Sequence, residues 1–130
     1  MDAIYATTAV IKLLKSSAEV TGRVGNRIYP VVALLNTLQP YIVVRRVSLQ
    51  GNDGTYKLSP WSEPPTLLDV ACVVDGTDYG SSVELAGAVR DCLLSYGDHA
   101  ELGISDLSID NAVEEYENEL FMQIFSITIQ

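Results

Sequence analysis

The residue types that carry chemistry are few in this chain and poorly spaced for catalysis. His99 is the one histidine, set in the polar stretch GDHAELG, and a lone imidazole makes neither a Cys-His pair nor a His-rich metal site. Cys72 and Cys92 both fall in apolar periodic segments, which predicts buried free thiols rather than a disulfide or a zinc site. Asp75 and Asp78 in DGTD offer hard oxygen ligands, but the stretch does not continue as a D-x-[DN]-x-[DN]-G calcium loop, so a turn leading to a helix cap is expected. Glu114, Glu115, Glu117 and Glu119 have the composition of a paired-carboxylate acid/base site. Four close glutamates near a hairpin tip nevertheless read as a solvated charge run. The phosphate-loop, dinucleotide, nucleophile-elbow and zincin signatures are all missing from the sequence. No cofactor, no metal and no enzymatic activity are therefore expected.

Recognition residues are better represented. Arg45 and Arg46 adjoin within a β-rich run and must point to opposite faces, so at least one has to reach past the core or pair with an acid. Trp61 sits among Pro60, Pro64 and Pro65, either plugging its own loop or anchoring an interface, where Trp and Arg are enriched. The net charge of −9 argues against non-specific binding to nucleic acid or anionic membrane. That charge is uneven: residues 1–65 hold seven basic and four acidic residues (+3), and residues 66–130 one basic and thirteen acidic (−12). Such asymmetry suits a protein that assembles with itself through unlike faces.

The elements that must position these residues follow from periodicity. With 130 residues and 48% of them apolar, one domain with a real core is expected. Ile4, Thr7 or Thr8, Ile11 and Leu14 mark an amphipathic helix with Asp2 as its cap, and Ser16 with Glu19 predicts a second short helical segment to about Val24. Arg27-Ile28-Tyr29 before Pro30 reads as a brief extended piece. YIVVRRVSL predicts a strand over 41–50 with Tyr41, Val43, Val47 and Leu49 on one face and Arg45 interrupting it. A Pro/Gly-rich loop is expected at 51–65. A second strand places Leu68, Val70, Cys72 and Val74 on one face. Ser81 and Glu84 then open a helix over 81–96, ended by Gly97. Leu107, Ile109 and Val113, then Phe121, Phe125, Ile127 and Ile129, form an antiparallel pair turning near Glu117-Asn118. The expected fold is α+β in the order α-β-β-α-β-β: a mostly antiparallel sheet of about four strands, with two main helices packed on one face. No apolar run is long enough to span a bilayer and the N-terminus lacks signal-peptide character, so synthesis in the cytosol is expected.

The order of motifs carries a resemblance. V-x-x-x-VGNRIYP (Val20 to Pro30), LQPYIVV (Leu38 to Val44), ELAGAVRDCL (Glu84 to Leu93) and YENELFMQIFSITI (Tyr116 to Ile129) together resemble the small tail-completion, or tail-terminator and head–tail joining, proteins of long-tailed bacteriophages and prophages. The likeness spans essentially the whole chain and departs from the family pattern at the loop 51–65. It implies a virion component assembled in the host cytoplasm into a ring, commonly a hexamer, at the head–tail junction. There it would contact copies of itself, the tail-tube protein and the head-connector protein, while DNA passes the channel without specific binding. Arg45, Arg46, Trp61, Glu114, Glu115, Glu117 and Glu119 are the candidate subunit or partner contacts. A small ligand-binding or regulatory α+β domain, dimeric, is the alternative, and an enzyme with an acidic site between subunits the third.

Overall fold

A computed structural model describes residues 2–49, 65–95 and 97–130. Trp61 and nearly all of the loop 51–65 lie outside the described residues. A short 3-10 turn, Ala3–Tyr5, leads into helices α1 (Ala6–Lys15) and α2 (Ala18–Val24), strands β1 (Ile28–Pro30), β2 (Tyr41–Leu49) and β3 (Thr66–Asp75), helix α3 (Tyr79–Leu94), and strands β4 (Leu107–Glu117) and β5 (Leu120–Ile129). The strands form one sheet in the order β1-β2-β3-β5-β4. Among the described residues only the β1–β2 pair is parallel. The α+β class and mostly antiparallel sheet match the expectation, whereas the strand count is five among the described residues, because the Ile28–Pro30 piece pairs with Ile42–Val44.

Local chemistry explains the helix ends, and it moves two expected caps. Asp2 does accept from the Ile4 N–H at 3.1 Å. The cap of α2, however, is Ser17, whose hydroxyl accepts from the Val20 N–H, while Ser16 turns back to donate to the Leu13 carbonyl at 2.6 Å. Helix α3 is capped by Asp78, which accepts from both the N–H and the hydroxyl of Ser81. Glu84 is thereby released to pair with Arg23 at 3.1 Å, tying α2 to α3. Helix α3 ends at Leu94, short of the expected 96, with Ser95 as its C-cap.

The core lies between the helices and one face of the sheet. Ala6, Ala9, Val10, Leu13 and Leu14 of α1, Val20 and Val24 of α2, and Leu85, Val89 and Leu93 of α3 pack in a single cluster with Ile42, Val44, Leu68, Val70, Cys72, Val74, Phe125, Ile127 and Ile129. The α1 stripe is rotated from the expected one. Its alanines bring the helix close to the sheet, and Ile4 is left exposed. In β2 the buried face is Ile42 and Val44 rather than Tyr41 and Val43, a reversal taken up below. In β4 an irregularity between Ile109 and Asn111 inserts Asp110 as an extra residue, so Val113 turns to the opposite face from Leu107 and Ile109. Asn118 and Glu119, both at positive φ, make the two-residue hairpin turn, one residue beyond the expected position.

Candidate interaction surface

The two arginines point to opposite faces, and both are engaged within the chain. Arg45 lies beside Asp69 in the β2–β3 register and pairs with it at 3.5 Å, with the arginine side chain more than half exposed. Asp69 also accepts from Ser126 on β5 at 3.3 Å. Arg46, on the core side of β2 beyond its apolar stretch, donates to the carbonyl of buried Ala3 at 3.3 Å and so holds the N-terminal turn against the sheet. The irregularity that follows, between Arg46 and Ser48, makes Val47 the extra residue and leaves it exposed.

The four glutamates do not converge. Glu114 accepts from the Tyr79 hydroxyl and, at 2.8 Å, from Gln123 Nε2, which also reaches Ser82. Those donors, Tyr79 first, hold the Glu114 carboxyl below the ordinary range, and the same bond raises the Tyr79 phenol. Phe121 stacks between Tyr79 and Tyr116, with ring centroids 5.4 and 5.0 Å away. Glu114 is therefore a bolt between the start of α3 and the hairpin. Glu115 and Glu117 project from the other face of β4, and Glu119 sits in the turn. This dispersal, with one carboxylate already satisfied, leaves no acid/base pair.

Other chemistry-bearing groups are equally isolated. His99 Nε2 lies 2.9 Å from the Leu93 carbonyl, and its buried Nδ1 has no hydrogen-bond partner among the described residues. It lines an open cleft of about 480 Å³ below the end of α3, with Ile104, Asp106 and Leu107. Cys72 is buried and Cys92 half-buried, both as free thiols. Burial pushes the Cys72 thiol up to about 12 and raises Cys92 as well. Among the described residues no group of three or more His, Cys, Asp or Glu is placed to hold a metal ion, and no helix is long and apolar enough to cross a membrane.

Two apolar features, neither singled out by sequence reasoning, dominate the surface instead. The first is the segment joining β1 to β2. Val31, Val32, Leu34, Leu35 and Leu38 are 61–92% exposed. The segment is nevertheless ordered by its own hydrogen bonds: Val31 N–H to the Val44 carbonyl at 2.8 Å, Val32 N–H to Pro30 at 2.7 Å, and Thr37 N–H to Leu34 at 3.1 Å, with Arg27 Nε holding the Pro40 carbonyl at 2.9 Å. Val31 adopts φ 68°, a left-handed conformation costly for a β-branched residue. The second feature is the sheet face turned away from the helices. Register aligns Tyr29, Val43, Ala71, Ile124 and Val113 in one row across the five strands, and Tyr41, Val73 and Met122 in the next; Val113 is exposed, Val73 is buried and the others are half-buried. The Tyr29 and Tyr41 rings lie 6.3 Å apart. A polar row, Arg45, Asp69, Ser126 and Asn111, bounds this belt on one side. The available signal was the run Ile28–Val44, seventeen residues without a charge in a chain of net −9.

Comparison with solved structures finds this architecture elsewhere. The chain shares its fold with a protein of a virus-like particle. The structure described as "Virion of native gene transfer agent (GTA) particle" contains a chain that superposes with a TM-score of 0.66, covering 95% of this chain and 92% of that one at 15% sequence identity. At that identity the likeness is one of fold. No protein-family model and no curated protein sequence matches the chain.

Proposed function

We propose that this chain is a structural, non-enzymatic component of a phage-like virion, forming a ring that caps the head-proximal end of the tail tube and joins tail to head. The observation that carries the reading is the near-complete fold likeness to a chain of a gene transfer agent virion, at both 95% and 92% coverage. It stands alongside the tail-completion resemblance of the motifs from Val20 to Ile129. The partners are further copies of this chain, the tail-tube protein and the head-connector protein, with DNA passing through.

The surface agrees with the role. A ring subunit needs two unlike sides, since repeated head-to-tail contacts close only when complementary patches meet at the right angle. The sheet has them: one edge is the three-residue β1 with its apolar loop, and the other is β4, carrying Asp110, Glu114, Glu115 and Glu117. Arg45 and the glutamates of β4 stand three strand spacings apart, about 14 Å at ~4.8 Å per strand. That separation supports their serving different contacts of the subunit.

Deleting the gene in the producing strain and imaging the particles by negative stain tests the reading. Unjoined heads together with tails of irregular length are expected, and a labelled copy should mark the head–tail junction. Normal joined particles without the protein would overturn it.

A further inference from the structure

We propose that the Val31–Leu38 loop of one copy seats on the open-face belt of the next copy, making the head-to-tail contact of the ring. The inference rests on the ring reading and names its interface. The loop and belt are complementary in chemistry. The loop presents five exposed apolar side chains and no charge. The belt presents Tyr29, Tyr41, Val43, Ala71, Met122 and Ile124, all half-buried, and the exposed Val113, with charged residues confined to its borders. Contiguous apolar surface of this kind on a folded chain marks an interaction site. In an acidic chain whose copies repel one another, an uncharged strip is also the surface on which two copies approach at least electrostatic cost.

Placement decides in favour of a neighbour. The loop leaves the sheet at its β1 edge, and the side chains of Leu34 and Leu35, 81% and 92% exposed, touch little of their own domain. Its hydrogen bonds to Val44, Pro30 and Leu34 hold it in shape before any partner arrives, which reduces the ordering cost of docking. Loop onto belt pairs two different patches, so each subunit offers a loop to one neighbour and a belt to the other, the heterologous arrangement that closes rings. An eight-residue loop facing a seven-residue belt is small beside the ~20–30 residues per side of a standard interface. A single contact is therefore weak, and ring closure, which holds each subunit on both sides, supplies the persistence.

Cysteine cross-linking tests the contact. Leu35→Cys protein is mixed at high concentration in turn with Val43→Cys, Ile124→Cys and Val113→Cys protein, with each variant alone as its control and circular dichroism confirming the fold. At least one mixture should form a mixed disulfide dimer roughly tenfold faster than either variant alone, and Leu34→Glu added to the Leu35→Cys chain should abolish the excess. Mixtures no faster than their controls, or Leu35→Cys pairing fastest with itself, overturn the proposal. The ring reading fails separately, by the absence of the protein from the head–tail junction. Junction rings that still form with both Leu34→Glu and Leu35→Glu would overturn this interface and leave that reading intact.

Discussion

The backbone N–H of Gly76 donates to the Glu119 carbonyl at 2.9 Å, so the turn that launches α3 is tied to the tip of the β4–β5 hairpin. A Cβ built on Gly76 would stand 2.2 Å from that same oxygen and 3.0 Å from the Tyr116 ring. Backbone meets backbone here, and neither side can yield by a rotamer change.

Gly76→Ala should therefore destabilise the protein by about 1–3 kcal/mol, the range for overpacking a filled site. Gly87, within α3, has nothing within 4 Å of its would-be Cβ. Gly87→Ala should stabilise by about 0.5–1 kcal/mol through helix propensity. Urea midpoints with unchanged slopes check both signs.

The Tyr79–Glu114 hydrogen bond gives two pH signatures. Glu114 titrates below its ordinary 4.5 in the folded state, so the unfolded chain binds the proton first as pH falls. Stability present above that value is lost on acidification through the lower folded one. Tyr79 is raised from 10.0, so its contribution is present below that pH and is lost as pH rises through the higher folded value. Glu114→Gln should flatten the acid limb of the urea midpoint and Tyr79→Phe the alkaline limb. Limbs as steep as the wild type in both variants would show that the bond does not persist in solution. A remaining acid dependence is expected in Glu114→Gln, because Asp78 is likewise lowered by its bonds from Ser81.

The reversal of β2 can be measured directly. Ile42 is fully buried and Val43 half-buried. Ile42→Ala should cost about 2–5 kcal/mol, and Val43→Thr no more than about 1 kcal/mol in the monomer. Equal losses in chemical denaturation would contradict the register.

The reversal also shows where sequence reasoning stops. YIVVRRVSL is apolar on both faces at its start, so alternation alone cannot select Ile42 and Val44 over Tyr41 and Val43. Only pairing with Cys72 and Val70 of β3 does so. In β3, where Leu68, Val70, Cys72 and Val74 alternate with Leu67, Asp69, Ala71 and Val73, Asp69 and Ala71 on the alternate face make the core face legible. The displacement of Val113 depends on one inserted residue, Asp110, which carries no periodic signal. The caps of α2 and α3 differ from the expected ones because Ser16 and Ser17 adjoin, and because Asp78 accepts from the N–H and hydroxyl of Ser81 and so starts α3 at Tyr79. Of the candidate contacts, Arg45, Arg46 and Glu114 also find partners in their own chain, and Trp61 lies outside the described residues. The uncharged run Ile28–Val44 has the composition of core, and only the exposure of Leu34 and Leu35 distinguishes its middle from core.

The thiols should differ sharply in reactivity. With Cys72 buried and its thiol raised to about 12, Ellman's reagent should reach it only as fast as the protein opens. Half-buried Cys92 should react first, and more slowly than a free thiol. Two equally fast phases in the native protein would contradict the burial of Cys72 beneath the helices.

Among the described residues, the long outer margin of the sheet bears on how the folded chain resists aggregation. β4 ends the sheet with eleven residues, and Asp110, Glu114, Glu115 and Glu117 lie along it. Bare strand margins of that length template fibril growth unless charge discourages it. A second acidic β4 laid alongside would set carboxylate against carboxylate, so aggregation by sheet extension is penalised from its first step. Concentrated solutions of the folded chain are thereby kept from growing sheet onto sheet.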